Sequence, residues 1–419
     1  MNTNPQPAEA PASVTVRALP ATLVLGLGML ITHGFGLALV PAMLPRIADD
    51  LDVGYGLLGA GVAAGLAAYA LGAAGTSRFL DRSPNRAGLL GSYIVSGAGL
   101  LIAGMAVTPA MLTVAIVLLG FVAPISWSLT LHVAGTTTAR ESRAAVMASA
   151  SGGAALGVLI NGVLVQTSDS VHSWRVSFAI AAAIALIPIV AGALVYRNPI
   201  PRPSGGNDAS PASFRSVLTT PAGRVVVVSG LLAGVTGFPF NTFLTATAID
   251  EMGVSALSAA ALWWLIGVIG IGAGPLLGRY GDRTSPLQAV LAGAVLHTGG
   301  LVLLFVVWNY AGLIVAAVGY PLMNYPIWGL VGAVANREFD PGLAVRAISL
   351  GLIVAALGGA AGSAAVGPWI DATASFRGPV LAMALVAAAV TAWYVSIARN
   401  GGLEARPSSD QPSPYSGVG

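Results

Sequence analysis

The sequence contains no cysteine and no lysine, and only 8% of its 419 residues are charged. Without cysteine there is no disulfide scaffold and no thiolate-bound metal. Without lysine, all 19 basic residues are arginine, and the formal charge of +3 is too small and too scattered for a nucleic-acid partner. A soluble domain carries about 25% charged residues. A chain this poor in charge could not cover a water-facing surface. Neither HExxH nor GxSxG occurs, which speaks against a metalloprotease or a serine hydrolase. No enzyme activity, cofactor or metal is expected.

What the chain has instead is hydrocarbon: 56% of its residues are apolar and its mean hydropathy is +0.82. Lipid is the solvent that fits, and only helices or closed barrels cross it. About 20 apolar residues are needed per helical crossing. Twelve runs meet that length: 19–44, 55–76, 87–107, 109–132, 145–167, 174–196, 224–249, 257–278, 287–308, 311–334, 344–367 and 378–398. Residues 1–16 hold no basic residue, and the first run behind Arg17 is long enough to span. It reads as a retained first helix rather than a removed signal peptide. Residues 1–16 and 400–419 read as disordered polar tails. The stretch 197–223, rich in Pro, Ser and Gly, is the one long internal linker, and it separates 17–196 from 224–399.

The arginines set an orientation. With the N-terminus in the cytoplasm, sixteen of the 19 fall in cytoplasmic segments; Arg46, Arg175 and Arg377 fall outside. That is the positive-inside pattern, with both termini cytoplasmic. Trp174, Trp263, Trp264, Trp308 and Tyr310 at outer helix ends, and Tyr196, Trp393 and Tyr394 at inner ones, are expected to anchor in the headgroups.

The chain also repeats itself. A shift of 201 residues lays "ADDLDV" (Ala48–Val53) on "IDEMGV" (Ile249–Val254), Asp81-Arg82 on Asp282-Arg283, and Gly99-Leu100 on Gly300-Leu301, without a gap. Six is even, so both halves begin on the same side of the membrane and are parallel repeats.

These features resemble the major facilitator superfamily over residues 18–400. The loop signature of that family, roughly G-x-x-x-D-R-x-G-R, reads here Ser77-Arg78-Phe79-Leu80-Asp81-Arg82-Ser83-Pro84-Asn85-Arg86, with serine and proline replacing its glycines. The second copy, Gly278-Arg279-Tyr280-Gly281-Asp282-Arg283, keeps the leading glycine. "LPRIADDL" and "WRVSF" are similar to the family as well. The resemblance implies an all-α membrane protein of 12 transmembrane helices in two pseudo-symmetric six-helix bundles. It implies alternating access by rocking of the halves, with spans 1, 4, 7 and 10 lining the cavity. It further implies a cytoplasmic latch in which Asp81, Arg82, Arg140 and Arg143 act in one half and Asp282, Arg283, Arg337 and Arg346 in the other. The competing reading, that these charges only set topology, accounts for the arginines but not for the recurring aspartate.

No carboxylate or arginine falls clearly inside a span. An intramembrane charge costs about 2.5–3.5 kcal/mol or more and commonly marks an ion site. The titratable group left is histidine. His33, mid-span 1, is the candidate proton carrier; His297, in span 9, is expected to be structural, and His132 to reach the inner end of span 4. Neutral polar and aromatic residues gather on the cavity-lining spans: Trp127 and Ser128 in span 4, Asn241 in span 7, Tyr320, Asn324 and Trp328 in span 10. The last three recur every four residues and so are expected to share a face. Pro239, Pro321 and Pro326 are expected to interrupt their helices. Asn161 is a weaker ligand candidate.

The expected function is secondary active transport of a small neutral, weakly acidic or amphipathic organic solute, proton-coupled, by a monomer in lipid of the inner or plasma membrane. A multidrug or metabolite efflux antiporter, an uncoupled uniporter and a solute sensor on the same scaffold remain alternatives. The substrate and the direction of transport are left open.

Overall fold

The computed structural model describes residues 16–82, 85–168, 173–197 and 214–400; at 77–82, 140–141, 143–145, 148–149, 214 and 341–342 it describes the backbone alone. Apart from an isolated β-bridge between Val16 and Thr138, the described residues form helices and short connections. Twelve of the helices are long and apolar enough to cross a membrane: spans 1 to 6 are Ala18–Ala42, Tyr55–Thr76, Asn85–Gly104, Pro109–Thr137, Ala150–Thr167 and Trp174–Val195. Spans 7 to 12 are Pro221–Glu251, Ala256–Arg283, Pro286–Val306, Tyr310–Glu338, Leu343–Thr373 and Arg377–Arg399. Twelve crossings leave Ala18 and Arg399 on one face of the bundle, the terminal face, opposite a far face.

Helix starts follow from local chemistry. Thr108, Thr220, Ser285 and Asp340 each accept a hydrogen bond from the backbone N–H three residues on, and a proline follows each at the first helical position. The cap satisfies an orphan N–H, and proline supplies the helical φ where no donor is needed. The helices run past the apolar stretches read from the sequence: span 4 to Thr137 rather than 132, span 11 to Thr373 rather than 367, where Ala374 turns left-handed, and the helix of span 5 begins at Arg140 rather than 145. Within the linker 197–223, Phe214–Thr219 is a short helix and span 7 already begins at Pro221.

The headgroup belt read from the aromatics is corrected at four of its eight residues. Trp174, Trp263, Tyr196 and Tyr394 are buried. Trp263 Nε1 donates to Thr245 Oγ1 at 2.8 Å, and Tyr394 Oη and Ser229 Oγ lie 2.6 Å apart. Each of these two rings fills space between helices while its polar atom meets a neighbour, a use of Trp and Tyr that position along the chain does not distinguish from anchoring. Two of the three expected outer arginines form matching ties at the far face. Arg175 pairs with Asp50 at 2.6 Å and donates to Ala106 O at 2.9 and 3.1 Å. Arg377 donates to Phe305 O at 3.2 Å and lies over the Phe305 ring.

Spans 1–6 and 7–12 meet along two seams, span 2 against span 11 and span 5 against span 8. Near the far face the seams are close. A Cβ on Gly59 would lie 2.6 Å from Ser363 O, and one on Gly267 would lie 2.6 Å from Leu159 Cβ. Towards the terminal face the second seam opens. Leu159 and Ala155 lie against Gly267 and Gly270, yet at the next positions of those stripes a Cβ on Gly152 or Gly274 would meet nothing within 4 Å. The second seam thus loosens towards the terminal face, whereas the first stays packed there, with Tyr69, Ala70 and Ala73 clustered against Ala356.

Candidate functional site

Spans 1 and 4 of the first half and spans 7 and 10 of the second carry the residues expected to line a cavity. Span 1 is not a uniform α-helix: Leu30–Phe35 is a π-helical segment. A π segment holds one extra residue per turn, and such segments gather at functional sites. His33 sits within it, half-buried, its Nδ1 3.0 Å from Thr32 Oγ1. Its ring centroid is 6.1 Å from that of Trp127 in span 4, which is half-buried like its neighbour Ser128. His33 and Trp127 are thus brought together across spans 1 and 4.

Span 7 carries the same irregularity at Ala233–Gly237, followed by Phe238–Ala246 with Pro239 in its first turn. The expected interruption near Pro239 is present, one turn earlier and as a π segment. Gly237 leaves room for span 10: a Cβ there would lie 3.4 Å from Asn324 Oδ1 and 3.5 Å from Tyr320 Cε2. Asn324 and Trp328 are half-buried, whereas Tyr320 and Asn241 are packed inside the second half, at 5% and 9% exposure. The common face drawn through Tyr320, Asn324 and Trp328 needs correction, because the ladder breaks at Tyr325–Pro326 and Trp328 belongs to the next helix, Ile327–Glu338. Pro326 has no N–H to continue it. The Tyr325 ring lies beside Gly270 of span 8, against the seam between the halves.

The other two described histidines are tied. His132 Nε2 lies 3.0 Å from Asn85 Nδ2. His297 is 1% exposed, with Nε2 2.9 Å from Thr236 Oγ1 and its ring beside Tyr320 and Phe240. Asn161, read as a weak ligand candidate, is fully buried and donates to Gly34 O at 2.9 Å, so it faces a helix and not the cavity.

The latch residues are placed only in part. Asp282, Arg283 and Arg337 are exposed on the terminal face, Arg346 is half-buried, and among the described residues Asp282 and Arg337 are not paired. The side chains of Asp81, Arg82, Arg140 and Arg143 lie outside the described residues.

A knot that sequence reading missed closes the far face. Tyr55, at the start of span 2, bonds through its phenol to Asp250 at the end of span 7. Its backbone N–H and that of Gly56 donate to the Asp371 carboxylate of span 11 at 2.9 and 2.7 Å. An aspartate from one half thereby caps a helix N-terminus of the other, where the helix dipole favours negative charge. The Tyr55 ring also packs edge-on against Phe243 and Phe376. The repeat contained a signal for this: Tyr55 aligns with Ala256, so the contact exists once and not twice.

The model of the Major Facilitator Superfamily matches residues 25–363. Among curated proteins no sequence matches significantly. Solved structures do. The nucleoside transporter NupG aligns with TM-score 0.71 at 11% identity over 91% of this chain and 99% of its own, and a point mutant of NupG aligns with TM-score 0.73 at the same identity and over the same shares. A bacterial homologue of the human lysosomal transporter Spinster, solved inward-facing and occupied, aligns with TM-score 0.69 at 14% identity over 91% and 96%. At such identities the likeness is one of fold, and it agrees with the family match. The chain belongs to the major facilitator superfamily of transporters.

Proposed function

We propose that the protein moves a small uncharged or weakly acidic organic solute by alternating access, as a monomer with both termini in the cytoplasm of an inner or plasma membrane. In that orientation the loosened end of the second seam faces inward. What supports the reading is the family match together with that seam, tight at Gly267 and unfilled at Gly152 and Gly274, beside rings and amides. Trp127, Trp328 and Tyr325 offer faces for stacking, and Asn324, Ser128 and His33 offer hydrogen bonds. None of these groups carries a fixed charge, so an uncharged planar solute suits them. The likeness to a protein titled as a nucleoside transporter makes nucleosides the first probes.

Proton coupling in this reading passes through His33, the half-buried imidazole of the wall. In proteoliposomes holding the purified protein, uptake from a panel of labelled nucleosides should exceed that of empty vesicles and respond to an imposed pH gradient. His33→Gln should remove the gradient response while downhill flux persists. Gradient-driven accumulation at the wild-type level by that variant would sink the coupling role.

The terminal-face latch completes the cycle: Asp282 and Asp81 engage arginines when that face closes. Asp81→Asn should insert and fold normally yet lower transport about tenfold, by removing a charge-assisted contact of one closed state. Wild-type flux by this variant would leave these charges with topology alone.

A further inference from the structure

Of the three π segments among the described residues, two occupy matching places in the repeat, and the third, Thr247–Glu251, ends span 7. Shifted by 201 residues, Leu30–Phe35 overlaps Ala233–Gly237 at residues 233–236. A π segment disturbs the regular ladder and persists where its surroundings hold it. Each of the matching two is held by one buried polar side chain from another helix. In the first half, Asn161 of span 5 donates its amide to Gly34 O at 2.9 Å. In the second, His297 of span 9 bonds to Thr236 Oγ1 at 2.9 Å. The Thr236 hydroxyl has a single hydrogen, and it goes to Leu232 O at 2.6 Å. His297 Nε2–H is therefore the donor.

The two braces are not copies of each other. The repeat places Gly362 opposite Asn161 and Ser96 opposite His297. Neither counterpart can do the same work: glycine has no side chain, and the Ser96 hydroxyl is buried without a partner. Each half has reached the same irregularity by its own residue. Inherited symmetry alone would have repeated the brace along with the bulge.

Resting on the reading that these walls bind the solute, we propose that Asn161 and His297 are positioning residues: they fix the π segments that present His33 on one wall and open Gly237 to Asn324 on the other. Neither touches the cavity. Their effect is on register. Loss of a brace lets the segment relax to α-helix, and removal of the extra residue turns the flanking parts by about 100° relative to each other. His33 then leaves the wall.

The absence of cysteine makes register directly readable. In the full-length protein, His33→Cys reports the π segment, and Ser128→Cys, on span 4, is the control on the same wall. Both should react with a small water-soluble thiol reagent applied from the terminal face. Adding Asn161→Leu should slow reaction at the His33→Cys position about tenfold and leave Ser128→Cys unchanged, the scale expected for losing one buried hydrogen bond and its partner's satisfaction. In the second half the reporter is Asn324→Cys. His297→Phe should slow it, and His297→Gln, which keeps an N–H donor, should restore it. Unchanged His33→Cys and Asn324→Cys reactivity with the braces removed overturns the proposal. A parallel change at Ser128→Cys would also overturn it, since the braces would then serve general packing. If neither His33→Cys nor Ser128→Cys reacts in the otherwise wild-type chain, what fails is the cavity reading itself.

Discussion

Asp371→Ala should open the far face. The substitution removes two hydrogen bonds by which the second half caps span 2, those from the N–H groups of Tyr55 and Gly56. Hydrogen bonds to a charged group are worth about 1.5–3 kcal/mol each. Here they are exposed, and we take about 1 kcal/mol apiece after allowing for solvent screening. About 2 kcal/mol shifts the balance between far-closed and far-open states roughly 30-fold. Folding of either half is untouched, since Asp371 lies exposed in the last turns of span 11. Ser363→Cys reads the shift. Ser363 is fully buried, its backbone carbonyl facing Gly59 at the closed seam. An impermeant maleimide applied from the far face should label it slowly in the parent and about 30-fold faster beside Asp371→Ala, by that same balance. Equal rates would show that the Tyr55 knot does not hold the gate. Tyr55→Phe removes only the phenol's bond to Asp250 and keeps the ring packing, so its effect should be smaller and in the same direction.

Little of this gate could be read along the chain, and the reason is physical. The overall architecture was legible because each element announces itself locally. An apolar run of sufficient length must cross; the residue-before-proline starts at Thr220-Pro221 and Asp340-Pro341 are as local but went unread, so spans 7 and 11 were begun three residues late. The repeat then ordered the crossings. The Tyr55 knot joins residues 195 and 316 positions apart, through one phenol and two backbone N–H groups. Backbone donors leave no mark in a sequence. The wall residues fall between these cases. His33 and Trp127 were singled out because a polar or aromatic group inside a span is conspicuous, and their rings lie 6.1 Å apart. Asn161 was equally conspicuous and was assigned to the wrong neighbour, since the Gly34 carbonyl became its acceptor only through a π segment that no local propensity encodes. Tyr320 shows the limit of periodicity: a spacing of four residues held only as far as Asn324, where Pro326 ends the ladder.

Alternating access, as proposed, requires two kinds of contact, and glycine separates them. Gly153 of span 5 lies against Gly26 of span 1, and a Cβ on Gly153 would come within 2.9 Å of the Gly26 Cα and nearer still to its carbonyl. Both residues belong to the first half, so this contact persists through every state. Gly59 of span 2 faces Ser363 and Gly367 of span 11 at the same kind of distance, but across the seam that opens when the far face does. The same substitution should therefore have different consequences. Gly153→Val forces two backbones apart in all states, and overpacking of this kind costs about 1–3 kcal/mol, more where backbone must move. Its yield of folded protein and its melting temperature in detergent should both fall sharply. Gly59→Val meets its clash only in the far-closed state. The protein escapes by remaining far-open, so melting should stay near the parental value while transport stops and far-side labelling of Ser363→Cys becomes fast. This exceeds the expectation for Asp371→Ala, which weakens closure without forbidding it. If instead Gly59→Val melts like Gly153→Val, spans 2 and 11 are a fixed joint and the halves do not part there. If Gly59→Val carries solute at the parental rate, the seam tolerates the extra methyl groups and closure does not depend on the contact with Ser363.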